Sequence, residues 1–333
     1  MVNIIIEECI PYIRGVLEPV ANVTYLPASG ITHDAMMDAD ALVTRTRTRV
    51  DAALLAGTRC RFVATATIGT DHIDLEWCRE NGVTVVNAPG CNAPAVAQYV
   101  LSSIMHCRPE LPSALTLGIV GVGHVGSIVA RWAEGLGMRT LLCDPPRARR
   151  EGSAKFTSLA DLAANSDIIT FHTPLTRNGT DPTFHLCDAS LLAAMRKRPM
   201  IINAARGAVV DNNALLQALR DNLISDTAID CWEHEPDINL ALLGKSLVAT
   251  PHIAGYSRQG KIRATRMAVD ALTQFFGFPP GKWDNENLEV PQTVTAMQIV
   301  ESYDPATDSL RLRLDPRGFE RQRNHYRLRE EPL

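Results

Sequence analysis

Along most of this chain, short runs of β-branched and aliphatic residues alternate with stretches whose apolar positions recur at helical spacing, the rhythm of parallel α/β units. In the first part the runs are Val2–Ile6, Val23–Leu26, Ala41–Thr44, Phe62–Thr65 and Val83–Val86, separated by segments such as Asp51–Ala56. After Pro89 and Gly90, the stretch Ala93–Met105 has helical spacing and few charges, which predicts a buried helix leading into a second unit. That unit repeats the pattern at Leu117–Val120, Thr140–Cys143, Asp167–Phe171, Met200–Asn203, Thr227–Ile229 and Leu247–Ala249. A long helical pattern, Arg258–Phe276, is expected to return the chain to the first unit, which would make that unit discontinuous.

The most discriminating junction is Leu117–Gly126, where a predicted strand runs into a glycine-rich turn and then into a helix over Ser127–Glu134. Gly121 permits the tight turn, Gly123 lets backbone reach a pyrophosphate, and Gly126 allows close helix packing. His124 and Val125 lie between these glycines, where unpaired N–H groups of a helix start face an anion. Eighteen residues past Gly126, Asp144 ends the next predicted strand and is placed to accept hydrogen bonds from an adenosine ribose. A carboxylate there favours NAD over NADP, although Arg147 and Arg149 stand close enough to weaken the preference. The expected architecture is therefore α/β, with two Rossmann-like doubly wound parallel-sheet domains, a cleft between them and a short C-terminal extension. Residues 1–92 and 257–285 form a flavodoxin-like substrate domain, 93–256 the NAD-binding domain and 286–333 the extension.

Charge and cysteine usage narrow the partners. Lysine and arginine total 33 against 37 acids, a net charge of −4, so no general basic field draws the chain to nucleic acid or an acidic membrane surface. The eight cysteines, at 9, 60, 78, 91, 107, 143, 187 and 231, include no C-x-x-C pair and are expected to be reduced. No His or Cys pair has ligand spacing, so no metal is expected. The N-terminus shows no basic segment followed by a long apolar run, and no apolar stretch approaches membrane-spanning length, which makes the cytoplasm the expected compartment. Beyond Phe278–Gly281 the arginines at 311, 313, 317, 321, 323, 327 and 329 read as a solvated charged tail, with a subunit contact as the alternative.

Three residues that follow predicted strands could meet at the ligand edge of the second unit: Arg206, Glu235 and His252. Arg206 presents a planar fork suited to a carboxylate. His252 suits general base work on a hydroxyl, and Glu235 would hold its imidazole by a hydrogen bond and favour the charged form. Taken singly, each also has an ordinary structural reading: a capping arginine, a histidine in a Pro-containing loop, a surface glutamate. The run Thr44–Arg49 offers hydroxyls and positive charge suited to a phosphate; strand alternation singles out Arg45 and Thr46, with a merely solvated strand end as the alternative.

Together, the glycine turn with Asp144, the N-A-A-R-G run Asn203–Gly207, the W-E-H-E-P run Trp232–Pro236 and the T-P-H-I-A-G-Y run Thr250–Tyr256 resemble the D-2-hydroxyacid dehydrogenases. Thr65–His72, Pro89–Asn92, Leu142–Pro146, Phe171–Pro174 and Arg206–Asp211 are most similar to the members that act on 4-phosphoerythronate, and the resemblance spans about residues 1–280. It implies an acid/base His252 with Arg206 and Glu235, NAD contacts at Asp144, Thr173, Asp230 and Gly255, and substrate contacts at Thr46, Thr67 and Tyr256. The reaction so implied is oxidation of a phosphorylated 2-hydroxy acid at C2, an early step of pyridoxal phosphate synthesis. Two departures stand out. Only 44 residues follow from Val290, fewer than the usual dimerisation domain, so a homodimer is possible rather than assured, and Cys9 replaces a residue that would hydrogen-bond as an amide. Another acid such as 3-phosphoglycerate, and a non-catalytic NAD-sensing module, remain as rival readings.

Overall fold

In a strand, successive side chains point to opposite faces, so apolar runs with no polar alternation must be covered on both sides. The computed structural model describes residues 1–108, 114–283 and 286–332, and its chain divides into two units: Met1–Asn92 with Arg258–Glu289, and Ala93–Ser257 with Val290–Leu333.

The first unit holds β1 (Asn3–Glu7), β2 (Asn22–Leu26), β3 (Ala41–Thr44), β4 (Phe62–Thr65) and β5 (Thr84–Val86) in the order β2-β1-β3-β4-β5. Every pairing is parallel. On one face Ile4, Ile6, Val43 and Phe62 pack with Ala264, Ala268 and Leu272 of the helix Arg258–Phe276. On the other, Ile5, Leu42 and Val63 pack with Met36, Leu54 and Cys78. The expected boundary at residue 285 lies outside the described residues, and the chain stays with this unit as far as Glu289.

The second unit holds β6 (Thr116–Val120), β7 (Arg139–Cys143), β8 (Ile168–Phe171), β9 (Met200–Asn203), β10 (Thr227–Ile229) and β11 (Val248–Ala249), all parallel, in the order β11-β10-β9-β8-β6-β7. Both sheets place their first strand between the second and third, the flavodoxin-like order, and the second adds a sixth strand. Strand order reverses at β6, so the carboxyl ends of β6 and β8 flank the crevice where such sheets bind ligands. Leu117, Ile119, Ile168 and Ile202 pack with the helices Ala93–Cys107 and His124–Gly135, while Val120, Ile169, Phe171 and Ile201 pack with Leu162, Leu192 and Leu215 on the opposite face.

The C-terminal segment is neither a separate extension nor a solvated tail. Residues 290–333 belong to the second unit and form the helices Ala296–Ser302, Pro305–Leu314 and Phe319–Asn324. Ile299, Leu312 and Phe319 are fully buried; Ile299 joins the core beside the helix Ala93–Cys107, and the other two join the core on the opposite face. Leu312 and Phe319 occur singly among charged residues and Ile299 has only Val300 beside it, so no long apolar run betrays them in the sequence. Thr295 and Gln298 close a reciprocal capping box that starts the first of these helices. Among the described residues, no helix is long and apolar enough to cross a membrane.

Candidate active site

At the carboxyl end of β6 the backbone turns at Gly121, whose φ of +88° belongs to the left-handed region. A Cβ there would lie 2.8 Å from the His172 carbonyl carbon, and one at Gly126 would lie 2.1 Å from Gly121 O, so both positions require glycine for close approach. A Cβ on Gly123 would meet no protein atom within 4 Å. The following helix starts at His124 rather than Ser127, because Gly123 occupies the N-cap and the glycine turn feeds directly into it. Asp144 binds this turn to the next helix: Oδ2 accepts from Val122 N at 2.8 Å and Oδ1 from Arg147 N at 2.9 Å.

These residues border a cavity of about 530 Å³, with Gly121, Gly123, Asp144, His172 and Thr173 in its wall. His172 Nδ1 and Thr173 Oγ1 are buried there without a hydrogen-bond partner, and burial pushes the His172 imidazole down to about 3. Orphaned polar atoms, an open face at Gly123 and helix N–H groups make the cavity fit a dinucleotide. The two arginines that clouded the cofactor preference are engaged elsewhere. Arg147 bonds Glu151 and the carbonyl of Val122, and Arg149 is paired with Asp181. Neither is left to hold a 2′-phosphate, so Asp144 keeps its bias toward NAD.

A second cavity in the same unit, of about 550 Å³, brings Arg206, Glu235 and His252 together. Arg206 follows β9 and is placed by Asn203, whose Nδ2 donates to Arg206 O at 3.0 Å and to Cys231 O at 3.2 Å. Gly207 lies against Trp232 so tightly that a Cβ would sit 1.8 Å from Trp232 O. Among the described residues no carboxylate lies within ion-pair distance of Arg206. His252 Nδ1 is 2.8 Å from Glu235 Oε2, and the other glutamate oxygen accepts Trp232 N–H at 2.8 Å. Burial works to raise the Glu235 pKa, but the bond and charge of His252, the Trp232 N–H and the charge of Arg323 together hold it below the usual value. Among the described residues, the remaining imidazole nitrogen, Nε2, has no hydrogen-bond partner.

The NAD binding domain of the D-isomer specific 2-hydroxyacid dehydrogenases matches residues 102–254. An erythronate-4-phosphate dehydrogenase of Bacteroides thetaiotaomicron is 46% identical over 340 residues, covering 99% of this chain and 97% of that protein. One from Porphyromonas gingivalis is 42% identical, covering 97% and 92%. The chain belongs to the erythronate-4-phosphate dehydrogenase family. The similarity runs well past residue 280, where the motifs alone had placed its limit, and takes in the C-terminal segment. The fold is shared with a D-lactate dehydrogenase from Aquifex aeolicus complexed with NAD and lactic acid, at TM-score 0.66 and 24% identity over 83% of this chain and 95% of that one. A glyoxylate reductase from Paecilomyes thermophila gives 0.69 at 20% identity over 84% and 98%. The second unit is thus an NAD-binding domain of an oxidoreductase family.

Against that family background, the residues expected to touch substrate divide between the units. Tyr256 follows His252 in the second unit, beside Gly255 of the expected NAD contacts, whereas Arg45, Thr46 and Thr67 lie on the first. The alternation argument for Arg45 and Thr46 fails in detail, because β3 ends at Thr44 and residues 45–49 form a turn. Its organiser is the buried Glu7: Oε2 accepts from Thr44 Oγ1 at 2.8 Å, Arg45 N at 2.9 Å and Thr48 Oγ1 at 3.0 Å, while Oε1 lies 2.9 Å from Cys9 Sγ. Cys9 therefore does bond its neighbour, as a thiol donor. Thr46 is exposed, Arg45 Nε is buried without a partner, and Thr67 Oγ1 lies 2.8 Å from Thr65 Oγ1.

Two features of the second unit escaped the sequence reading. His185 Nε2 lies 2.7 Å from Glu233 Oε1 in the same cavity as His252, with Asp211 Oδ2 3.7 Å from its other nitrogen. The two glutamates of the W-E-H-E-P run thus each serve a histidine, a doubling visible in the motif. The donor atoms of His185, Asp211 and Glu233, like those of Cys231, Glu235 and His252, fall within 4.8 Å of one another, a closeness that loops distant in sequence create and spacing rules do not register. The second feature is the C-terminal arginines. Arg329 is only 8% exposed, and Arg323 lies close enough to Glu235 to favour its charged form.

Proposed function

We propose that this protein oxidises 4-phospho-D-erythronate at C2 to 2-oxo-3-hydroxy-4-phosphobutanoate with NAD, a step in pyridoxal 5'-phosphate formation. The observation that carries the reading is the convergence of Arg206 and the Glu235–His252 pair in one cavity of an NAD-binding unit. NAD bound at Gly121, Gly123, His124, Val125, Gly126, Asp144, Thr173, Asp230 and Gly255 supplies the hydride acceptor. His252 takes the C2 hydroxyl proton on Nε2, since Nδ1 is committed to Glu235, whose charge offsets that of the imidazolium. Arg206 holds the C1 carboxylate with two parallel N–H bonds and fixes C2 in place. Arg45, Thr46 and Thr67, with Tyr256, take the polar groups of the rest of the substrate, which makes the first unit the substrate domain.

A homodimer fits the C-terminal helices, which expose Met297, Val300, Leu310 and Leu314 at 56–76%. All eight cysteines are free, which suits a cytoplasmic enzyme.

The test is purified protein with NAD and 4-phosphoerythronate, followed by NADH absorbance, with 3-phosphoglycerate and unphosphorylated erythronate in parallel; a second set receives a 2-oxo acid acceptor against retained cofactor and is followed by the oxidised product of each substrate, because the acceptor consumes NADH. The reading requires kcat/KM to be highest for 4-phosphoerythronate. Equal use of the unphosphorylated acid contradicts it, and preference for 3-phosphoglycerate moves the chain to another member reaction.

A further inference from the structure

The loop that carries His252 is held from both sides by buried charge. On its N–H side stands Asp230, 1% exposed: its carbonyl accepts His252 N at 2.9 Å, Oδ1 accepts Ile253 N at 2.7 Å and Oδ2 accepts Ala254 N at 2.9 Å. On its C=O side stands Arg329, from the far end of the chain. Nη1 donates to Ile253 O at 2.9 Å and Tyr256 O at 3.3 Å, and Nη2 donates to Ala254 O and, at 3.0 Å, to Ala95 O. Nε donates to Gln98 Oε1 at 2.8 Å, and Gln98 in turn donates to Glu330 O at 2.8 Å.

Burying a guanidinium is costly and is offset only where its N–H groups find acceptors. Here three of the acceptors, the carbonyls of Ile253, Ala254 and Tyr256, belong to the very loop that follows His252, and the others, Ala95 O and Gln98 Oε1, to the helix Ala93–Cys107, so the cost is incurred where it ties that loop to a buried helix. Lysine would not replace it, because an ammonium presents its donors from one point and cannot span carbonyls on both sides of a plane. The loop needs outside support: His252 has φ +56°, a left-handed conformation that a residue with a side chain holds only when its surroundings impose it.

We infer that Arg329 is a positioning residue for proton transfer, clamping the Ile253–Tyr256 backbone against Asp230 so that the His252 ring stays aligned with Glu235 and the substrate hydroxyl. The inference rests on the role proposed above for His252. It gives the arginine-rich C-terminus a task in the active site.

The full-length wild type is compared with Arg329→Lys and Arg329→Met. Three readouts are taken: kcat and KM per titrated active site, amide hydrogen exchange of peptides spanning residues 252–257, and affinity for ADP-ribose, which probes the Asp144 end of the cofactor site. In both variants kcat should fall by about ten- to hundredfold, the scale of a small misplacement of a reacting group. Exchange across 252–257 should quicken, ADP-ribose affinity should stay within about twofold, and Lys should recover little of what Met loses. A merely structural role would lower the melting temperature and the fraction of intact sites while leaving kcat per site unchanged; that result, with unchanged exchange at 252–257, overturns the inference. If neither variant folds, Gln98→Leu, which removes the Nε acceptor together with the Gln98 bond to Glu330 O, must give faster exchange in this loop and a smaller fall in kcat, and wild-type values for both count against the clamp. Should the wild type itself turn over no hydroxy acid, the functional reading fails, while the exchange measurement still judges the clamp.

Discussion

Changing Glu235 to Gln preserves the shape of the side chain and removes one acceptor. In the native pair both carboxylate oxygens are committed to N–H donors, Oε2 to His252 Nδ1 and Oε1 to Trp232 N, each at 2.8 Å. An amide offers a single oxygen. If it serves His252, the Trp232 N–H faces an NH₂ group; if it serves Trp232, the NH₂ group faces Nδ1 and selects the tautomer whose proton sits on Nε2. A proton on Nε2 leaves no base for the substrate hydroxyl. Losing a hydrogen bond to a charged group costs about 1.5–3 kcal/mol, roughly 10- to 150-fold in rate. Trapping the wrong tautomer extends this toward ~10⁴, the size of the corresponding Asp→Asn effect in a serine protease triad. With side-chain exposures of 25% for His252 and 18% for Glu235, water can relieve little of the loss. Glu235→Gln should therefore lower kcat for 4-phosphoerythronate by about 10²-fold or more, with KM for NAD nearly unchanged, in steady-state NADH assays. A kcat within about threefold of wild type would refute the orienting role, since that corresponds to less than one ordinary hydrogen bond.

The same carboxylate links stability to acid. Its folded-state pKa lies below the ordinary 4.5, so its contribution is complete above that value and is lost as pH falls through the folded one; the unfolding free-energy difference between wild type and Glu235→Gln, measured in urea, should shrink below about pH 4.5. Asp144→Ala removes the ribose acceptor and a helix cap, so KM for NAD should rise about tenfold or more with kcat little altered, and an unchanged KM would contradict the assignment. Phe319→Ala opens a cavity at a fully buried C-terminal position and should cost about 3–5 kcal/mol in chemical denaturation, whereas a loss below about 1 kcal/mol would mean that the segment does not pack as described.

What the sequence discloses is what its local physics determines. The apolar runs of β3, β4, β6, β8 and β9 need cover on both faces, and a strand that ends in closely spaced glycines has few alternatives to a phosphate-type turn. Arg206, Glu235 and His252 each follow a strand of one parallel sheet, so the topology itself delivers them to the same edge. The C-terminal segment reads as a tail because its buried Leu312 and Phe319 stand singly among charged residues, Ile299 has only Val300 beside it, and all but one of the Arg329 acceptors are carbonyls, at 95, 253, 254 and 256, that carry no side-chain signature. The turn after β3 is hidden for a related reason. Glu7, from a different strand, gathers Thr44, Arg45 and Thr48 and bends the chain where alternation alone would continue it.

The central claim is that hydride leaves C2 of the substrate as His252 takes the hydroxyl proton. It is tested most directly with 4-phosphoerythronate carrying deuterium at C2, supplied with NAD to wild type and to His252→Ala, with the reduced cofactor examined by mass spectrometry. Wild type should place one deuterium on the cofactor for each substrate oxidised, and His252→Ala should do the same about 10²- to 10⁴-fold more slowly. Deuterium found in solvent rather than on the cofactor, or a His252→Ala rate equal to that of wild type, would contradict the account.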